Sequence, residues 1–508
     1  MRMRLVYRFI PLLLLPVLLC SCMTADFSSV NTSVIRGDYA EARRVVESQK
    51  DSLYSENDKV LYNLDAGLLS HYSGDWNQSN KNFTQAENLI EEYYSKSISQ
   101  GVSSYFVNDM VVDYSGEDYE DIYTNFFMAL NYIQLGKFED AMVEIRRFDN
   151  KQKLLTTKYA SQMEYAESEL GSGYSNVSLQ FQNSAAARYL SMLLYRANGQ
   201  QDSAEVDRRL LLKAFNEQPA LYDFRVPSCV DEELSVPKGK ARLNFVCFTG
   251  QAPIKVEDVS RYDVGDGVYT KIAVPMMVDR GSAVYTISVD VYDGFGNAVI
   301  PVETVSEPVV EVAPETTAPA SRSSAARARA LAMGIGAEDS SAVDSAGSGT
   351  TFVGLGGTSS NYVPTGDALY TTWLEKIESI ENIALDTFSQ HASVIYSRAM
   401  IRALGKTLKT GALSLASELT DDSSLSLLFS VLSFASQVTD EITEQADLRT
   451  SRFFPAYIYV GGITLDPGDY TIVISFKGNG GLVLSSNVYE NVKVTAKSVN
   501  IVEAICSR

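Results

Sequence analysis

Carboxylates and phenols crowd together in Asp113-Tyr114-Ser115-Gly116-Glu117-Asp118-Tyr119-Glu120, the stretch of this chain best supplied for proton transfer. If the stretch enters a helix, Glu117 and Glu120 stand one turn apart on one face, where one carboxyl can donate a proton and its neighbour accept one. Glu144, farther along, is a third candidate acid. The same residues also describe a capped helix start that orders the loop before a helical unit.

Arg398, Arg402 and Lys406 recur every four residues and stripe one helix face. In an acidic chain such a stripe either binds an anionic ligand or partner, or pairs with the chain's own Asp and Glu. Leu404-Gly405-Lys406-Thr407 looks like the end of a phosphate-binding loop, but that loop needs glycine where Met400 stands. Neither a Gly-x-Ser-x-Gly elbow nor a His-Glu-x-x-His pair occurs. The two histidines, His71 and His391, lie 320 positions apart, which leaves little for a zinc site or a histidine relay. Past Cys22 the cysteines are Cys229, Cys247 and Cys506, enough for one disulfide plus a free thiol and not for a framework. The motifs therefore predict no catalytic residue, no metal and no cofactor.

Arg2, Arg4 and Arg8 precede an apolar run from Phe9 to Leu19 that is too short to cross a ~30 Å hydrocarbon layer at ~1.5 Å per residue. This is the pattern of a secretory signal. Leu19-Cys20-Ser21-Cys22 resembles the bacterial lipobox, which implies cleavage after Ser21 and a lipid on Cys22; Cys20 follows the bulky Leu19 and is the poorer acceptor. Removing residues 1–21 takes away three arginines and no acid, which carries the formal charge from −20 to −23. Such a surface repels nucleic acid and anionic head groups, so any membrane contact falls to the lipid. Met23 and Thr24 place no Asp after Cys22, which favours the outer membrane over the inner.

These side chains need elements to hold them. At 508 residues and 45% apolar content the chain has material for about three domains. From 22 to 222 one register recurs: Gly37 with Tyr39 and Ala42, Gly74 with Trp76 and Ser79, Gly136 with Phe138 and Ala141, Gly199 with Gln201 and Ala204. Glycine closing a first helix, an aromatic at the turn and a small residue five on is the middle of a TPR-like helical hairpin. The glycine spacings of 37, 62 and 63 are uneven against a standard of about 34. From 223 to 304 period-two alternation predicts half-buried strands, as in Ala241, Leu243, Phe245, Cys247 and in Tyr285, Ile287, Val289, Val291. Residues 305–366 are rich in Ala, Ser, Gly, Thr and Pro and read as a disordered insertion. A helical segment is predicted over 367–450, with Leu425 to Val438 as a buried helix, and strands return over 451–508. The fold class expected is α+β: TPR-like helical repeats, then an antiparallel β-rich domain interrupted by a helical insertion.

Tyr114-Ser115-Gly116-Glu117-Asp118-Tyr119-Glu120, Ala129-Leu130-Asn131-Tyr132, Leu135-Gly136 and Val143-Glu144-Ile145-Arg146-Arg147 follow one another here. So, farther on, do Arg398-Ala399 with Arg402 and Lys406, Asp447-Leu448-Arg449, Pro455-Ala456 and Pro467-Gly468. In that order these elements resemble a family of uncharacterised bacterial lipoproteins with a TPR-like N-terminal half. The chain departs from it at Ser451, where the family has Trp, and in the length of 305–366. The resemblance implies an architecture and an address without an activity. Together these readings predict an envelope adaptor, lipid-anchored to the membrane, that offers a concave helical surface to a protein or peptide partner. Tyr114, Glu117, Tyr119 and Glu120 and the Arg146-Arg147 pair are its expected exposed contacts. The alternative is a carboxylate-dependent enzyme or accessory acting on cell-wall or glycan substrates through Glu117, Glu120 or Glu144.

Overall fold

Helix-ending glycines give the amino-terminal half its shape. The structure, a computed structural model, describes residues 25–100, 112–170, 179–263, 269–294, 299–301, 362–364, 367–390, 392, 395, 446–496 and 498–508. The signal segment with Cys22, nearly all of 305–366, His391, Leu425 to Val438, and the Arg398, Arg402 and Lys406 stripe lie outside those residues.

Eight helices pair into four antiparallel hairpins: α1 (Ser28–Arg36) with α2 (Tyr39–Ser48), α3 (Lys59–Tyr72) with α4 (Trp76–Gln100), α5 (Asp118–Gln134) with α6 (Phe138–Leu170), and α7 (Ala185–Ala197) with α8 (Gln201–Glu217). Gly37, Gly74, Gly136 and Gly199 stand at the four turns with φ of 80°, 81°, 70° and 73°. Each turn makes the same two bonds: at the first, Gly37 N–H donates to Val34 O and Asp38 N–H to Ser33 O. That pair is the Schellman motif, which needs a left-handed residue and therefore favours glycine. The small residues five positions on, Ala42, Ser79, Ala141 and Ala204, are fully buried and let the paired helices approach. The aromatic position is less regular, since Tyr39 is buried while Phe138 is exposed. Much of the uneven spacing is taken up by α4 and α6, which run for 25 and 33 residues.

Seven strands form one sheet in the order β10-β9-β4-β7-β8-β1-β11. They are β1 (Ala241–Thr249), β4 (Thr286–Asp293), β7 (Tyr370–Ser379), β8 (Tyr457–Leu465), β9 (Gly468–Lys477), β10 (Val483–Val494) and β11 (Asn500–Cys506). Neighbours are antiparallel except β1 and β11, which run parallel. The strands at the two ends of the order touch, so the sheet curls on itself. Tyr489 Oη on β10 donates to the Glu503 carbonyl on β11 at 2.6 Å across this closure. Two two-stranded ladders, the long β2 (Ile254–Asp263) with β3 (Tyr269–Val278) and the short β5 (Val299–Pro301) with β6 (Tyr362–Pro364), form separate sheets.

Two expectations change. The first is that β1 is half-buried. Every residue of β1 is buried: Leu243, Phe245 and Cys247 fill the interior of the curled sheet, while Val246 and Phe248 pack into the helices. The second is that helix begins near Leu369. Residues 370–379 are instead the central strand β7, and helix starts only at 380, as α9 (380–390). The buried Leu374, Ile377, Ile380 and Ile383 recur every three residues, which imitates a helical face. A β-bulge between Lys376 and Glu378 breaks the two-residue alternation between Leu374 and Ile377, and Ile380 and Ile383 already belong to α9.

Helices α3, α5 and α7 lie against the sheet. Nearly every residue of α3 and α5 is buried. Phe127 on α5 meets Phe248 on β1 with ring centroids 5.2 Å apart, and Tyr119 meets Phe454 at 5.7 Å. The helical face expected to stand open to a partner is thus covered by the chain's own sheet and by the segment 446–456 that leads into β8. Among the described residues no helix is long and apolar enough to cross a membrane.

Candidate functional site

The Tyr114–Glu120 stretch does start a helix, as the capping reading requires. Glu117 is the extended N-cap residue of α5, and its N–H donates to Glu120 Oε2 at 2.9 Å. This is the return half of a capping box, and it leaves Glu120 pointing inward. Tyr114, Tyr119 and Glu120 are 3%, 0% and 0% exposed, so they are not the displayed contacts expected of them. A glycine-bearing polar stretch reads as surface when the segment that covers it lies some 330 residues away.

Glu120 accepts four hydrogen bonds. Tyr114 Oη (2.7 Å) and the Glu117 N–H reach Oε2; Ser451 N–H (2.6 Å) and Thr450 Oγ1 (3.1 Å) reach Oε1. A carboxylate has about four acceptor positions, so none is left for a substrate. Burial, with Glu117 beside it, pushes the Glu120 carboxyl up to about 7 in spite of these donors. Glu117 itself pairs with the buried Lys255 at 2.5 Å. Burial alone would depress the Lys255 ammonium, but Glu117 and Asp447 outweigh it and raise its pKa.

A second carboxylate works beside the first. Asp65, on the buried α3, accepts from Tyr54 Oη (2.9 Å), Ser451 Oγ (2.7 Å) and Arg452 N–H (3.0 Å). Burial raises it to about 6. Arg449 chelates Asp447 and reaches Asp58 and the Val112 carbonyl, with its guanidinium 5.3 Å from the Tyr114 ring. From the far side the Arg280 guanidinium donates to Arg452 O at 2.8 Å and to Ala252 O and Gln251 Oε1 at 2.7 Å each. Burial, with Arg452 nearby, lowers Arg280 to about 10, so it stays charged at neutral pH. Tyr72 Oη closes the set on Phe453 O at 2.9 Å. The geometry is that of a groove between α3 and α5 gripping an extended segment through its backbone and hydroxyls.

The Arg146-Arg147 pair lies elsewhere, on α6. Arg146 is exposed, and Arg147 bridges Glu87 at 3.1 Å and Glu144 at 3.4 Å. Glu144 accepts from Asn125 at 2.6 Å and is raised by burial. The structure therefore brings Tyr114, Glu117, Tyr119 and Glu120 together and leaves Glu144, Arg146 and Arg147 apart from them. Asp65, Lys255, Arg280, Thr450, Ser451 and Arg452 were not singled out for this site by sequence reasoning. Asp65 carried a signal, an acid beside Leu61, Leu64 and Leu68 on an apolar helix. Ser451 carried another, as the departure from the family's Trp: it is fully buried with both carboxylates as partners.

Other buried acids join helices to sheet. Glu378 on β7 accepts from Tyr123 and Tyr222 hydroxyls, from Ser184 Oγ and from the Ala186 N–H at the start of α7. His71 places Nε2 3.3 Å from Glu503 Oε2 and Nδ1 2.6 Å from Asn131 Oδ1, and both His71 and Glu503 are fully buried. Phe127 and Tyr72 stack edgewise on the imidazole. Cys229, Cys247 and Cys506 are separate buried thiols. Among the described residues no cluster of His, Cys, Asp and Glu could hold a metal ion. Comparison with protein-family models, with curated proteins and with solved structures returns no match to this chain.

Proposed function

We propose that the protein is a bacterial envelope lipoprotein, held to the membrane by a lipid on Cys22, that serves as a protein–protein adaptor or scaffold through TPR-like hairpins and has no catalytic role. The observation that supports this most is the series of four hairpins, each turned by the same glycine-centred Schellman motif. Because the inner face of the hairpins is occupied, the contact with an envelope protein or peptide is assigned to the outer face. There α6 exposes Val143 and Leu154 beside Arg146 and the half-exposed Arg147. Apolar side chains flanked by guanidinium groups are the composition of a binding hot spot. The carboxylate-enzyme alternative is disfavoured because Glu117, Glu120 and Glu144 are each engaged by internal partners.

Crosslinking from intact envelopes tests the reading, with wild type compared to Arg146→Glu and to Cys22→Ser. We expect wild type to capture a defined partner, Arg146→Glu to lose it while staying on the membrane, and Cys22→Ser to leave the membrane fraction. A hydrolytic activity on envelope glycans that disappears in Glu117→Gln while capture persists would contradict it.

A further inference from the structure

The groove between α3 and α5 has the chemistry of a peptide-binding site. Its two carboxylates, Asp65 and Glu120, come from neighbouring hairpins and address two consecutive backbone N–H groups, those of Arg452 and Ser451. They also take both adjacent hydroxyls, of Ser451 and Thr450. Asp58 and the Val112 carbonyl receive the Arg449 guanidinium at the groove's edge, and Lys255 sits across the groove on Glu117. Recognition of an extended segment through its main chain, with side-chain acceptors for hydroxyl and guanidinium groups, is how protein grooves read peptides.

The occupant differs from a core element along its length. Phe453 and Phe454 are buried, Phe454 against the rings of Tyr119 and Phe127, and β8 starts three residues after Phe454. Residues 446–452 are held mainly by polar contacts instead: Ala446, Thr450 and Ser451 are buried, the Arg452 guanidinium lies over the Phe27 ring, Leu448 is 41% exposed and Arg449 and Arg452 are partly so. Opening the segment up to Arg452 would uncover Asp65, Glu120, Tyr114 and Tyr119 without removing an aromatic ring from the core.

We infer that residues 446–452 act as an intramolecular ligand that keeps this groove closed, and that the open groove binds an extended peptide bearing Arg followed by Thr or Ser, in the order of Arg449, Thr450 and Ser451. Tethering explains why the segment wins: a covalently attached ligand acts at an effective concentration in the millimolar range, against which a free peptide competes poorly. The inference stands on the groove's own contacts and does not depend on the adaptor reading, whose surface is the opposite face of the hairpins.

The test uses the full chain and a fluorescein-labelled peptide with the sequence of residues 446–452, read by fluorescence anisotropy. Wild type is expected to bind it weakly. Ser451→Pro removes from the tethered segment both the N–H that Glu120 accepts and the hydroxyl that Asp65 accepts, and is expected to tighten peptide binding at least tenfold. A peptide carrying the same proline should not bind. A folded Ser451→Pro chain with wild-type peptide affinity would overturn the inference. Hydrogen exchange of the wild-type chain decides the matter even if that variant does not fold. The Ser451 and Arg452 amides should exchange at least a hundredfold faster than the β1 amides, and exchange at the β1 rate would equally overturn it.

Discussion

Two fully buried glutamates hold the two halves of this molecule together by opposite means. Glu120 is met by neutral or backbone donors: a phenol, a threonine hydroxyl and two N–H groups. Glu233 is met by charge, with the Arg196 and Arg242 guanidinium groups on its two oxygens and Asn244 Nδ2 at 2.7 Å. Two ways of satisfying the same group lead to different sensitivities. Burial and the nearby Glu117 raise the Glu120 carboxyl in spite of its donors, which makes that site responsive to pH, whereas removing Glu233 would leave two buried guanidinium groups without their shared partner.

The largest effect should come from breaking the charge-paired site. Glu233→Ala leaves Arg196 and Arg242 buried without a common counter-ion and is expected to cost ~3–5 kcal/mol of unfolding free energy, measured by urea denaturation. Glu120→Ala strands several neutral donors in the groove and should cost less, ~1–3 kcal/mol. Equal costs at the two sites would erase the distinction between them.

Titration sharpens the contrast. Glu120 is raised from 4.5 to about 7 and Asp65 from 3.8 to about 6. Over the interval from each ordinary value to its raised one, the folded chain binds more protons than the unfolded chain. These two groups therefore make stability fall as pH rises from about 4 to 7. Their contribution is complete at the acid end and gone above about 7. Melting temperatures of wild type and Glu120→Gln across this range should differ in slope, with the variant flatter. Parallel profiles would show that Glu120 does not titrate there.

Smaller effects test the helical frame against the surface. Gly136→Ala meets no atom within 4 Å but must adopt φ near 70°, and should cost ~1–2 kcal/mol. Arg146→Glu touches only the exposed side of α6 and should change stability by no more than ~0.5 kcal/mol while abolishing partner capture.

What the sequence disclosed follows from the range of the interactions. The four hairpins are legible because a Schellman turn fixes glycine and its neighbours at local offsets, as Gly37 with Ser33, Val34 and Asp38 illustrates. Strands β1 and β4 are legible by alternation, but β7 is not, since its bulge breaks the two-residue period and helix α9 follows it at once. Burial on both faces of β1 was hidden because Arg242 and Asn244 are polar, and only the structure gives them Glu233 as partner. The groove was half visible: the Glu117–Glu120 cap is local, whereas Asp65 and Ser451 meet across 386 residues. Nothing in the spacing of either could announce the other.

That last pair offers the most direct test of the claim that the groove grips its own chain. In a double-mutant cycle, unfolding free energies of Asp65→Ala, Ser451→Ala and the double variant isolate the hydrogen bond between Ser451 Oγ and Asp65. We predict a coupling of ~1 kcal/mol or more. Additivity to within ~0.3 kcal/mol would contradict the account, because residues that do not meet have nothing to couple.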